Sequence, residues 1–289
     1  MTMSQPHSRP VERGASEGVL RVLFGSFMAI TSIAILLYSA EWFAGIVVLL
    51  VLFAAREWHR MVRSPAMREA AEQRPVHVQT ILSGVTIALA VLLMLEDMAL
   101  YAFGAVIAGA AASFAYARVR NDNPSWHAAG VLYIGVPALA LVALRGAPSG
   151  ALIVLGMFVV VWATDTGALL FGKLIGGPRI TPKLSPGKTW AGTIGGSLSG
   201  ALVFAFFIAV LGFDVTLGAL YAFFFSFVAH AGDLLESMVK RRFGTKDSGG
   251  MIPGHGGVLD RLDSTFAAAI VLAVLVFGAG FNPLFGGQS

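Results

Sequence analysis

Runs of about twenty apolar residues follow one another from residue 20 to residue 281, and no other feature constrains the fold so strongly. Nine such runs are read, at 20–40, 42–60, 78–95, 98–117, 127–145, 150–172, 190–212, 215–236 and 257–281. A membrane-spanning helix needs roughly 20 mostly apolar residues. The period-2 alternation of a membrane β-barrel strand does not occur in these runs. Charged residues make up 12 % of the chain, about half the share in soluble domains. The expected fold is therefore all-α, a polytopic membrane bundle of about nine transmembrane helices. With no cysteine, disulfides and thiolate metal sites are excluded.

Basic residues give the expected topology. Residues 1–18 are polar and read as a disordered cytoplasmic tail. The run at 20–40 is long enough to span and has no small-x-small cleavage site after it, so it is taken as the first span. Of the 20 Lys and Arg residues, only Arg145 falls on the side that also holds Glu41, Glu96, Asp97 and Asp214. The positive-inside rule then puts the N-terminus in the cytoplasm and the C-terminus outside. The glycine-rich charged loops gather after the sixth and eighth runs. Residues 19–148 thus read as a transmembrane scaffold and 149–285 as the region that carries chemistry. The inverted, Gly/Pro-broken helix pairs of a common transporter design are absent.

Three constellations stand out. Asp165 lies inside the sixth run, where a carboxylate needs a cavity, a cation or a partner; pairing that only pins helices is the plainer alternative. Next, Ser185-Pro186-Gly187-Lys188-Thr189 leads into the seventh run and offers amides, hydroxyls and an ammonium to an anion. Its spacing is not that of a Walker loop, because Pro182 stands where the first glycine belongs. A basic loop that merely enforces topology is the other reading of this string. Gly192, Gly195, Gly196, Ser197 and Gly200 read as helix-packing positions.

The third constellation is residues 237–263, SMVKRRFGTKDSGGMIPGHGGVLDRLD. It follows His230, Asp233 and Glu236 or Ser237, which recur at helical spacing. Lys240, Arg241 and Arg242 alone would be a membrane-surface anchor. The glycines that follow allow backbone to approach a ligand closely. Asp260 and Asp263, three apart, share a helix face and can share a metal ion. Carboxylates beside Lys and Arg suit a divalent cation and a polyphosphate. His255 could act as a base, a phosphate hydrogen-bond donor or a structural loop residue, and the donor role fits best. His7, His59, His77 and His127 have no such company.

The string from Ser237 through Lys240-Arg241, Lys246-Asp247, Gly249, Ile252-Pro253, His255-Gly256-Gly257-Val258 to Asp260-Arg261-Leu262-Asp263 resembles the signature of the phosphatidate cytidylyltransferases, also called CDP-diglyceride synthases. Similar features extend upstream through Asp165, Ser185–Trp190 and Asp233, so the resemblance covers about the C-terminal half. Ala191 and Leu169 depart from the family's usual Glu or Gln and Tyr.

The resemblance implies CTP and phosphatidate as substrates, CDP-diacylglycerol and pyrophosphate as products, and dependence on Mg²⁺, with room for a second metal ion. It implies a multi-pass protein of the inner membrane, among membrane lipids, with its active site facing the cytoplasm. A homodimer is compatible with it, and nothing points to nucleic acid. Asp233 and Asp260 are then expected to ligate metal, with Asp263 in support. Lys240, Arg241, Lys246 and Arg261 are expected to clamp phosphates. Ser185, Lys188, Thr189, Ser237, His255, Gly256 and Gly257 are expected at the substrates, and Asp165 to orient a base or a metal-bound water. The rival readings are another lipid phosphotransferase, such as a polyprenol or phytol kinase, and an ion transporter.

Overall fold

The computed structural model describes residues 30–70, 78–182, 184–251, 256–282 and 284. Its helices are α1 (Ala40–Met61), α2 (Pro65–Ala70), α3 (Val78–Leu95), α4 (Ala99–Val119) and α5 (Pro124–Gly146). They continue as α6 (Gly150–Leu174), α7 (Trp190–Val210), α8 (Val215–Arg242) and α9 (Leu259–Ala273), the last running into a π-helical turn at Val274–Gly278. Among the described residues, seven helices are long and apolar enough to cross a membrane: α3 to α8, and α9 with its π turn. Large apolar side chains such as Leu202, Phe206 and Val210 on α7 are exposed, as a lipid-facing surface requires.

Seven of the nine expected runs, the third to the ninth, stand as such helices among the described residues. Of the first run, only 30–38 lies among the described residues, and it is helical; the tail at 1–18 lies outside them. The second run forms α1, a full 22 residues long, but Arg56, Glu57, His59 and Arg60 crowd its C-terminal half. Apolarity does not carry that half. Glu57, Trp58 and His59 are all buried, satisfied instead by specific polar partners. His59 lies 2.6 Å from Ser83 Oγ and 2.8 Å from His127, whose other ring nitrogen is 2.9 Å from Asp122. A buried polar chain therefore joins α1, α3, the α4–α5 connection and α5, as groups removed from water must.

The small residues of α7 do pack as expected. A Cβ on Gly192 would lie 2.8 Å from the Ala168 carbonyl oxygen, and one on Gly196 would lie 2.7 Å from that of Thr164. The backbones of α6 and α7 approach because these positions lack side chains. Thr164 and Ser226 hydroxyls, 2.8 Å apart, connect α6 to α8.

Between α6 and α7 the chain makes the one departure from helix that matters here. Strands β1 (Arg179–Thr181) and β2 (Ser185–Thr189) form an antiparallel hairpin, with Arg179 opposite Thr189 and Thr181 opposite Ser185. Thr189 then caps α7, its Oγ1 accepting from the Gly192 amide at 3.1 Å. The Ser-Pro-Gly-Lys-Thr string is thus extended backbone held at a helix N-terminus.

Candidate active site

The C-terminal end of α6, the hairpin, the start of α7, the end of α8 and the start of α9 surround one cavity of about 1020 Å³. Its polar groups come from segments far apart in sequence. Asp165 and Thr166 come from α6, and Lys188 and Thr189 from the hairpin. His230, Asp233 and Lys240 come from α8, Lys246, Asp247 and Gly256 from the following loop, and Asp260, Arg261 and Asp263 from α9. Five carboxylates and four side-chain cations therefore share one space.

Two ion pairs close the frame of this cavity. Lys188 Nζ lies 2.6 Å from Asp233 Oδ2 and ties the hairpin to α8. The same ammonium reaches the His230 carbonyl at 3.5 Å. Lys240 Nζ lies 2.7 Å from Asp260 Oδ1 and 3.4 Å from Glu236 Oε1. Asp260 also accepts from the backbone amides of Gly257, at 2.9 Å, and Ser248, at 3.1 Å. This carboxylate thereby folds the glycine-rich loop back onto the first turn of α9. Gly256 adopts φ +81°, a left-handed conformation open to glycine at little cost.

Asp263 is buried and accepts from its neighbour's amide, Ser264 N, at 2.6 Å. Behind it Glu236 is fully buried, and neither of its oxygens has a hydrogen-bond partner. Asp165 forms no ion pair or hydrogen bond among the described residues. Among those residues, no three His, Asp or Glu side chains converge on one point as the metal ligands of a closed site do. Lys240 stands between Asp260 and Glu236 instead.

Ten of the residues expected from sequence line the cavity: Asp165, Lys188, Thr189, Asp233, Lys240, Lys246, Gly256, Asp260, Arg261 and Asp263. Four others lie beside it. Arg241 turns away, donating to the carbonyls of Leu184 at 3.1 Å and Thr245 at 3.4 Å, so it props the hairpin. Ser185 is taken up in the β1–β2 pairing, opposite Thr181. Ser237 donates to Asp233 Oδ1 at 3.4 Å, and Gly257 contributes its amide to Asp260. His255 lies outside the described residues.

Residues 19–278 match the family model described as the cytidylyltransferase family. The chain belongs to the cytidylyltransferase family. It is 44 % identical over 196 residues to the phosphatidate cytidylyltransferase of Brucella suis biovar 1 (strain 1330), spanning 66 % of this chain and 70 % of that protein. It is 42 % identical over 149 residues to the enzyme of the same name from Staphylococcus haemolyticus (strain JCSC1435), spanning 50 % and 56 %. Against that of Pseudomonas aeruginosa (strain PAO1) it is 41 % identical over 171 residues, spanning 54 % and 60 %.

Sequence reasoning missed two contributors to this cytidylyltransferase site. Ser248 sits inside the signature string, yet its amide to Asp260 and its hydroxyl to Glu57 only emerge in three dimensions. Glu57 lies some 190 residues upstream. Its one sequence signal is a carboxylate within an apolar run, the same signal that singled out Asp165.

Proposed function

We propose that this cavity joins CTP to phosphatidate, giving CDP-diacylglycerol and pyrophosphate. The family membership and the relatives' shared name support that activity, and the observation that carries it to this site is the convergence of Lys188, Asp233, Lys240, Asp260, Arg261 and Asp263 on one cavity at one end of apolar helices. In the reaction a phosphate oxygen of phosphatidate bonds to the α-phosphorus of CTP. The bond from that phosphorus to the bridging oxygen breaks, and its electron pair leaves with pyrophosphate. No side-chain nucleophile is needed.

Two polyanions must meet, and each pair of unit like charges about 4 Å apart costs about 4 kcal/mol at an effective dielectric near 20. Lys188, Lys240, Lys246 and Arg261 offset this repulsion and the charge that develops on the leaving group. The amide of Gly256 and the hydroxyl of Thr189 orient phosphate oxygens, and His255 donates to one, while the Gly257 amide holds Asp260. Ser185, Ser237 and Arg241 hold these groups in place.

Five carboxylates would repel a triphosphate by themselves, and the buried Glu236 oxygens lack hydrogen-bond partners. Such an excess of hard oxygen donors fits a divalent cation. Asp233, Asp260 and Asp263 would hold Mg²⁺, with room beside Asp165 for a second ion. When bound, it supplies Lewis-acid neutralisation of phosphate charge. We read the cavity as facing the cytoplasm, where CTP is found, with the N-terminus on that side and the C-terminus outside. The lysine and arginine distribution supports this orientation. In this reading residues 149–285 supply the substrate contacts and 19–148 the scaffold; surrounding membrane lipids and a homodimer complete it.

The test is purified protein with radiolabelled CTP, phosphatidate and Mg²⁺. Labelled liponucleotide is expected. Its absence with CTP, together with label transfer from ATP to a lipid alcohol, would mark a lipid kinase instead.

A further inference from the structure

Glu57 is not part of the signature or the cavity, yet it organises both. It sits on α1 and is 3 % exposed. One carboxylate oxygen accepts from the Val258 amide at 3.1 Å. The other accepts from the Leu259 amide at 2.9 Å and the Ser248 hydroxyl at 3.1 Å.

The first amides of a helix have no partner within it. A Ser, Thr, Asp or Asn at the N-cap normally supplies one. Here the N-cap is Val258, whose side chain makes no capping bond. Glu57 therefore supplies from another helix the cap that the local sequence lacks. Its negative charge also faces the positive end of the α9 dipole. The loop is shaped to receive it. A Cβ on Gly249 would collide with the Glu57 carboxylate, and one on Gly257 would lie 2.6 Å from Oε2.

The cap leads directly to the chemistry. Ser248 is held from two sides, its hydroxyl by Glu57 and its amide by Asp260. Asp260 is the second residue of the capped helix, and it grips Gly257 and Lys240. Two carboxylates thus clamp one loop, one from the scaffold and one from the cavity wall.

We propose that Glu57 is a positioning residue for nucleotidyl transfer. It fixes the loop and the first turn of α9 so that Asp260, Lys240 and the Gly256 amide meet the substrates in register. This rests on the reading of the cavity given above. A 1 Å error in such positioning costs on the order of 10²-fold in rate, whereas loose substrate binding changes far less. The prediction therefore separates kcat from KM.

Wild-type protein, Glu57→Gln, Ser248→Ala and the double variant are compared for liponucleotide formation, and melting temperature is measured on the same samples. Glu57→Gln keeps size but replaces one acceptor with a donor. It is expected to lower kcat about tenfold or more, to change KM for CTP less than about threefold, and to leave Tm within a few degrees. Ser248→Ala is expected to lower kcat several-fold at unchanged Tm, and the double variant to fall no further than Glu57→Gln alone. Wild-type kcat in either single variant, or a loss that tracks Tm, overturns the proposal. Should Glu57→Gln fail to fold, Ser248→Ala decides by its own kcat. An inactive wild-type protein would instead overturn the functional reading.

Discussion

Lys240 Nζ stands 2.7 Å from Asp260 Oδ1, so the last turn of α8 is bonded to the first turn of α9 across the mouth of the cavity. Each residue neutralises the other across this contact.

Lys240→Met and Asp260→Asn should each lower kcat at least about 100-fold, the size seen when one preorganised group at developing charge is lost. Because they share one contact, the double variant should lose far less than the product of the two losses. Steady-state liponucleotide formation checks this. Full multiplicativity would mean that the two act separately.

Lys188 bridges the hairpin to Asp233 at 2.6 Å. Lys188→Met should lower kcat/KM for CTP about 10- to 100-fold. Arg242→Gln, on an exposed side chain outside the cavity, should stay within about twofold of wild type. Arg241→Ala should fall between them, since it loosens the hairpin without removing a cavity cation. Equal effects for all three would reduce these bases to a general surface charge.

Gly196→Val should lower Tm by more than about 5 °C or abolish folded yield, because its side chain meets the Thr164 carbonyl oxygen across the α6–α7 contact. Gly104→Ala, with no atom within 4 Å of the added carbon, should melt like wild type. Thermal unfolding in detergent distinguishes them.

Asp122, in the α4–α5 connection, titrates at about 2. Burial pushes it up, but the hydrogen bond from His127, the Ser64 amide, the His127 charge and the Asn123 amide outweigh that effect. A depressed carboxyl contributes stability above its unfolded value near 3.9 and loses it as pH falls through the folded value. The Tm gap between wild type and Asp122→Asn should therefore be full at pH 6 and about half that size near pH 3. A gap that stays constant with pH would remove the charge from the explanation.

Sequence patterning located α3 to within a residue at each end, because 78–95 is a clean apolar run with polar residues on both sides. It also found both halves of the cavity, since Asp165, Asp233, Asp260 and Asp263 are carboxylates that hydrocarbon would otherwise exclude. What it could not see at α1 is that the buried His59 and Glu57 depend on partners in α5 and on Ser248. The hairpin escaped because strands of three and five residues carry no period to detect. Arg241 looked like its neighbours in a basic run, and only the position of the Leu184 carbonyl separates it from Lys240.

Because the α9 amides are capped from α1, the signature string is not a portable cassette. A chimera that grafts residues 149–289 onto an unrelated set of leading helices would inherit every cavity residue and still present a frayed α9. Swaps between relatives should succeed only where the incoming first helix delivers an acidic side chain to the same spot.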